Sequence, residues 1–322
     1  MLFTGGTISM QLDPERGGNV PTLGGAAILA RTQGLAEIAE VVAIDYGLVP
    51  ASHFRFPQLF DLAARIRLAL ADPAIDGAVV VQGTDTIEET SFFYDLVVGG
   101  EKPIVVTGAM RAASDDGYDG PANLRDAVRV AAAPDLRGAG CLVVMTGQIH
   151  GADDVTKTHA TSPATFQSLN LGPLGEVSGG RVMLGRRRSG RRLIAGAAQA
   201  AEPVPLITAV VSMDASILDA VVAAGARGIV VEATGSGNTS PELLAAAQRA
   251  MAAGIPVVEA TRCASGRVGA AYAFPGGGAQ WTRAGAIQAG YLTGPKARVA
   301  LAVGIGAGLD RAGLVALFAD PA

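Results

Sequence analysis

The sequence predicts an α/β protein with a larger N-terminal parallel-sheet domain and a smaller, Rossmann-like C-terminal α/β domain. Two observations predict it. Short, wholly apolar runs end in Gly/Thr/Asp turns and are followed by amphipathic helices, the rhythm of parallel strands covered on both faces. That rhythm breaks once, across a basic stretch and an Ala/Pro-rich run, and then resumes, which divides the chain in two.

Taken in order, Ala78–Val81 is an apolar run that ends at Gln82-Gly83-Thr84-Asp85, and a helix follows over Glu88–Val98. Ile104–Thr107 ends at Gly108-Ala109-Met110, with the next helix over Pro121–Ala133. Leu142–Thr146 repeats the pattern and ends at Gly147. The stretch from Gly185 to Arg192, with five arginines and two glycines, reads as a solvated hairpin or loop. Ala195–Pro205 reads as a linker. The expected organisation is therefore a domain over 1–190, a linker over 191–206 and a second domain over 207–322. In the second domain Gly228–Glu232 and Ile255–Glu259 read as strands, and Ser240–Ala253 as a helix with a Ser-Pro-Glu start. Lys296–Val303 and Asp310–Phe318 read as helices.

Composition narrows the function classes. Of 322 residues, 49% are hydrophobic and 17% charged, which fits a globular protein with a well-filled, mostly aliphatic core. A net charge of −4 gives no reason to expect nucleic acid or an anionic membrane as partner. Three histidines without metal-ligand spacing predict no metal site. Cys141 and Cys263 stand in apolar or small-residue surroundings and read as buried thiols. No apolar run approaches the roughly 18 residues of a membrane span. Residues 1–7 read as a strand end entering a glycine turn rather than as an export signal, so a cytoplasmic protein is expected. The brevity of that strand leaves room for a start upstream.

Three segments concentrate chemistry at strand ends, where open α/β sheets bind their ligands. Thr4-Gly5-Gly6-Thr7-Ile8 lets backbone N–H groups approach a ligand closely, but it lacks the Gly-x-Gly-x-x-Gly spacing of a dinucleotide turn. Gln82 to Thr90 crowds hydroxyls and carboxylates onto one strand-to-helix corner, more than a helix cap requires. Asp153 to Pro163 contains Lys157 among small polar residues, and a lysine beside a hydroxyl can accept a proton when desolvated.

Together these segments resemble the L-asparaginase family of bacterial amidohydrolases. Thr107–Arg111 followed by Asp119–Leu124, Lys157–Thr161, and Gly235-Ser236-Gly237-Asn238 resemble further family stretches in the family's order, from the first residues to about Arg298. The resemblance implies hydrolysis of L-asparagine to L-aspartate and ammonia, with some members accepting glutamine. It implies no cofactor and a homotetramer built as a dimer of dimers, in which the C-terminal domain completes the neighbour's site. By position Thr7 resembles the attacking threonine, and Thr84 with Lys157 the hydroxyl–amine pair that activates a hydroxyl or water. Asp85 resembles the carboxylate that holds the substrate ammonium. Ser52 falls near the serine that meets the α-carboxylate, and Ala109 resembles the residue whose carbonyl meets the leaving amide. Gly6, Gly83 and Asn238 complete the expected binding set, with the N–H groups of Gly6 and Thr84 forming an oxyanion hole.

Two departures stand out. No tyrosine lies between Thr7 and Tyr46, where many members place one on a loop to help activate the threonine, so either Ser9–Gly25 closes differently or another group does that job. The region Pro275–Trp281 has no carboxylate, although some members offer one to the neighbouring subunit there. Two other readings exist: an amino-acid-binding protein without turnover, and a racemase using Cys141 and Cys263 as opposed bases.

Overall fold

The computed structural model describes residues 1–320. It divides into two compact units between Leu193 and Ile194. The division falls within the stretch 191–206. Arg191 is bonded to Asp95 of the first unit, whereas the Ala201 N–H donates to the Ala302 carbonyl of the second.

In the first unit the strands are β1 (Leu2–Phe3), β2 (Met10–Asp13), β3 (Gly18–Pro21), β4 (Ile44–Asp45), β5 (Ala78–Val81), β6 (Ile104–Thr107), β7 (Cys141–Met145), β8 (Gln148–Gly151), β9 (Val155–Lys157), β10 (Phe166–Ser168), β11 (Gly175–Ser178) and β12 (Arg181–Leu184). The helices are α1 (Gly25–Ala30), α2 (Phe56–Ala71), α3 (Ile87–Val97) and α4 (Gly120–Ala131). Among the described residues an eight-stranded sheet runs in the order β12-β11-β8-β7-β6-β5-β1-β4. Strands β4, β1, β5, β6 and β7 are parallel. Every residue of β5, β6 and β7 is buried, as the unbroken apolar runs require of strands covered on both faces. Alternate side chains, Val79, Val81, Val105, Leu142 and Val144, share one core with Leu124, Ala127 and Val128 of α4. α2 and α3 also pack on these strands.

One edge of this sheet differs from the wholly parallel expectation. β8, β11 and β12 are antiparallel additions. The cause is local: Thr146 and Gly147 both have positive φ (48° and 77°), which makes a two-residue hairpin turn after β7 instead of a crossover.

The basic stretch also departs from the solvated reading. Arg188 is 6% exposed and donates to both carboxylate oxygens of the buried Asp95, at 3.0 and 2.8 Å. Arg191 adds a bond to the same carboxylate at 3.1 Å. Burial alone pushes the Asp95 carboxyl up; Arg188, then Arg191 and the Cys141 N–H, more than offset this and hold it below the ordinary carboxylate value.

The second unit has a four-stranded parallel sheet, β13 (Leu206–Thr208), β14 (Ile229–Ala233), β15 (Val257–Thr261) and β16 (Ile287–Gln288), in sequence order. Its helices are α5 (Ser216–Ala223), α6 (Pro241–Ala252), α7 (Gly278–Ala284), α8 (Gly294–Gly306) and α9 (Arg311–Phe318). Local chemistry sets their starts. The Ser240 side chain accepts the Leu243 N–H at α6, with Pro241 at the first position, and Asp310 accepts the Gly313 N–H at α9. Among the described residues no helix is long and apolar enough to cross a membrane, and no group of three His, Cys, Asp or Glu is placed to hold a metal.

This small sheet buries one carboxyl group. Glu259 is 0% exposed, and Gln288 on the neighbouring strand donates to its Oε2 at 2.5 Å. Burial pushes the Glu259 carboxyl up to about 8, with the Gln288 bond opposing it. The folded value thus lies above the unfolded one. Stability from this group is complete below the unfolded value of 4.5 and is lost as pH rises through 8. Wild-type protein should lose roughly 3 kcal/mol between about pH 6 and about pH 9 from this group. Glu259→Gln should remove that slope, a result that thermal melts across the same range would show; an unchanged slope would contradict it.

Candidate active site

The carboxyl ends of β1, β5 and β6 converge through backbone packing that only glycine permits. Gly5 and Gly6 have φ of +101° and +90°. A Cβ on Gly6 would lie 2.2 Å from both N and Cα of Gly83. The residues that leave these touching glycines are Thr7 and Thr84, so two hydroxyl side chains start from adjacent points. A Cβ on Gly83 would meet that of Ala51 at 2.9 Å, and one on Gly108 would lie 2.5 Å from the Gln82 carbonyl and 3.3 Å from the Thr84 methyl. Ser52 and Ala109 therefore border the same corner. Ser52 is exposed on the 3-10 turn Ala51–His53, whose Ala51 carbonyl accepts the Thr86 hydroxyl at 3.1 Å. Ala109 is fully buried.

Thr84 and Asp85 form a 3-10 turn that leads directly into α3. Lys157, at the end of β9, reaches this turn from another part of the chain. Its Nζ donates to Thr84 Oγ1 at 3.0 Å and to Asp85 Oδ1 at 2.8 Å. Thr84 is buried, the Lys157 side chain is 15% exposed and the Asp85 side chain 69%. The carboxylate thus faces outward while the hydroxyl–amine pair lies beneath it. An open cleft of about 330 Å³, lined by Asp85, Lys157, Thr158, His159 and Ala160, adjoins them.

Several supports were not singled out from the sequence. The Glu88 carboxylate accepts the Lys157 N–H at 3.1 Å and fixes the start of its side chain. Gln82, fully buried, accepts the Thr90 hydroxyl at 3.0 Å and braces the corner from below. His159 Nδ1 accepts the N–H groups of Thr161 and Ser162 at 3.1 and 3.0 Å, so the neutral ring carries its proton on Nε2. Glu88, Gln82 and Thr90 stand in the quoted motif, but nothing in a linear pattern assigns them a partner 69 residues away.

Asn238 belongs to the second unit, where Thr234 and Asn238 close the loop after β14 through paired backbone bonds at 2.8 and 2.9 Å. The cysteines part company. Cys141 is buried in β7, and burial pushes its thiol well up, which unsuits it as an accessible base. Cys263 is exposed, contrary to the buried reading, because it lies in the loop beyond β15 rather than in the strand.

The chain also matches known proteins along nearly its whole length. Residues 1–189 match the family model "Asparaginase, N-terminal" and residues 203–318 the "Glutaminase/Asparaginase C-terminal domain". The L-asparaginase of Bacillus licheniformis is 32% identical over 94% of each chain. The probable L-asparaginase of Deinococcus radiodurans is 35% identical over 97% of this chain and 94% of its own. The crystal structure of the probable cytoplasmic L-asparaginase from Campylobacter jejuni superposes with a TM-score of 0.86 at 25% identity, covering 98% of this chain and 97% of that one. With both domain models matched in order along the chain, and relatives above 30% identity over nearly its whole length, the protein belongs to the L-asparaginase family.

Proposed function

We propose that this protein hydrolyses the side-chain amide of L-asparagine to L-aspartate and ammonia through an acyl-enzyme on Thr7, with some activity on glutamine. The observation that supports it best is the Lys157 ammonium bridging the Thr84 hydroxyl and the Asp85 carboxylate beside the Gly6–Gly83 contact.

A threonine hydroxyl needs a base to become an effective nucleophile. In the resting site Lys157 is paired with Asp85 and donates to Thr84. A substrate α-ammonium that takes Asp85 as its counter-ion displaces this pair and sets a second cation beside Lys157. That favours the neutral amine, which then accepts a proton through Thr84. The Thr7 oxygen attacks the amide carbon as its proton moves to the Thr84–Lys157 pair. The N–H groups of Gly6 and Thr84 stabilise the oxyanion, each worth about 3 kcal/mol by the measure of other acyl-transfer enzymes. The C–N bond breaks, ammonia leaves with the returned proton, and water attacks the ester to release aspartate and restore Thr7.

In this reading Ser52 receives the α-carboxylate, Gly83 leaves room for the substrate backbone, and the Ala109 carbonyl accepts from the leaving amide. The steps use only side chains and backbone N–H groups, with no cofactor. The proposal includes a cytoplasmic homotetramer, a dimer of dimers, in which Asn238 is offered to a neighbouring copy. Its test is a coupled ammonia assay on L-asparagine, L-glutamine and their D-forms. Ammonia and aspartate should appear in equal amounts from L-asparagine, with slower release from L-glutamine. A folded protein that releases ammonia from none of the four would overturn the proposal, and tight asparagine binding in that case would mark a binding protein.

A further inference from the structure

Thr7 opens a three-residue 3-10 turn, Thr7–Ser9, which continues into the hairpin β2–β3. On its inner side the Ser9 N–H and hydroxyl both donate to the Gly6 carbonyl, at 2.9 and 2.7 Å. From outside, the turn is gripped by the segment before α4. The Tyr118 hydroxyl donates to the Ile8 carbonyl at 2.8 Å. The Ala113 N–H donates to the Met10 carbonyl at 3.0 Å, and the Leu12 N–H donates to Ser114 Oγ at 3.3 Å.

The gripping segment is itself held in place. Asp119 accepts the N–H groups of Met110 and Arg111 and the Asn123 side-chain amide, all within 3.1 Å. The half-buried Tyr118 ring lies over Gly120, where a Cβ would come within 2.5 Å of ring atoms and hydroxyl. A glycine at that position is what leaves room for the ring.

We propose that Tyr118 is a positioning residue for Thr7: its hydroxyl fixes the Ile8 carbonyl, and with it the turn that aims the Thr7 side chain toward the Gly83–Thr84 corner. This rests on the reading of Thr7 as the nucleophile. Tyr118 reaches this turn from 110 positions along the chain from Ile8. Burial pushes the Tyr118 hydroxyl up to about 12, so it stays a donor at working pH and does not serve as the base. Reacting atoms tolerate little displacement; an error near 1 Å costs on the order of 10²-fold in rate.

Tyr118→Phe keeps the ring and its packing, and removes only the donated bond. We expect kcat for L-asparagine to fall roughly tenfold. KM should change by less than about twofold, and the pH profile should keep its shape. A kcat equal to wild type, a KM that rises in proportion to the loss, or a basic limb that disappears would each overturn the proposal. Hydrogen exchange gives a reading independent of turnover: the Ser9 and Leu12 amides should exchange faster in the variant than in wild type, and unchanged exchange would also overturn it. A wild-type protein that is silent on asparagine would instead sink the function proposed above, and the exchange measurement would still decide whether Tyr118 holds the turn.

Discussion

Lys157→Met is expected to lower kcat/KM for L-asparagine by roughly 10²- to 10⁴-fold, the range that a positioned proton-transfer group supplies. Methionine fills the same channel as the lysine stem, so the change is chiefly electrical. It removes the donor to Thr84 Oγ1 and the partner of Asp85. Because the Asp85 side chain is 69% exposed, water replaces its lost partner and the fold is little affected. Asp85 is then free to take the substrate ammonium without displacing another cation, so KM should stay level or fall while kcat collapses. Thr7→Ala provides the complement, since it leaves the Lys157–Thr84 pair intact but removes the oxygen proposed to attack. Mass spectrometry of enzyme quenched during turnover should find an acyl adduct on Thr7 in the wild type and none in Thr7→Ala. Retention of more than about a tenth of wild-type activity by Lys157→Met would show that another group takes the proton.

The sequence made much of this arrangement readable because both the fold and the corner are written in contiguous residues. β5 and β6 match the runs Ala78–Val81 and Ile104–Thr107 residue for residue, since burial on both faces leaves no charged position in the strand and the one hydroxyl, Thr107, donates to the Val144 carbonyl. β14 and β15 begin one and two residues later than the apolar runs suggest, directly after Gly228 and Pro256, the two residues that punctuate those runs. Thr84 and Asp85 were readable as a crowded strand-to-helix corner. Their partner Lys157 stands out among small polar residues, but its bond to Thr84 spans 73 residues and leaves no mark in local pattern. The same holds for Tyr118 and Ile8, and for the arginines of the basic stretch. Seen along the chain, five arginines and two glycines within eight residues look like a solvated loop; only the fold brings Asp95, more than 90 residues earlier, beneath two of them. The hairpin after β7 is hidden for a different reason: Thr146-Gly147 is an uncommon pair for two successive positive φ values, where Asn-Gly is the usual signal.

That buried ion cluster leads to the second large effect. Asp95→Ala is expected to cost about 3–5 kcal/mol of stability, because it leaves Arg188 and Arg191 desolvated without their shared carboxylate. Thermal or denaturant melts would measure it. The double change Asp95→Leu with Arg188→Met should recover a large part of the loss, since apolar groups of similar volume often replace a buried pair at little cost. The sign with pH is set by the lowered folded value of Asp95. Its contribution is present above the unfolded value of 3.8 and is lost as pH falls through the folded one, so wild type and Asp95→Ala should converge in stability only in acid. A neutral-pH loss below about 1 kcal/mol would contradict this account. The position of the cluster extends its reach to the proposed catalytic corner. Asp95 stands near the end of α3, the helix entered from the Thr84–Asp85 turn. Arg188 also bonds Asp153 at 3.3 Å, two residues before the strand that ends in Lys157. One guanidinium therefore ties the helix leading from Thr84 to the approach of the strand bearing Lys157. In Asp95→Ala the folded fraction should turn over asparagine more slowly than wild type at the same temperature, with KM near the wild-type value. Full specific activity in the folded variant would confine the cluster to stability alone.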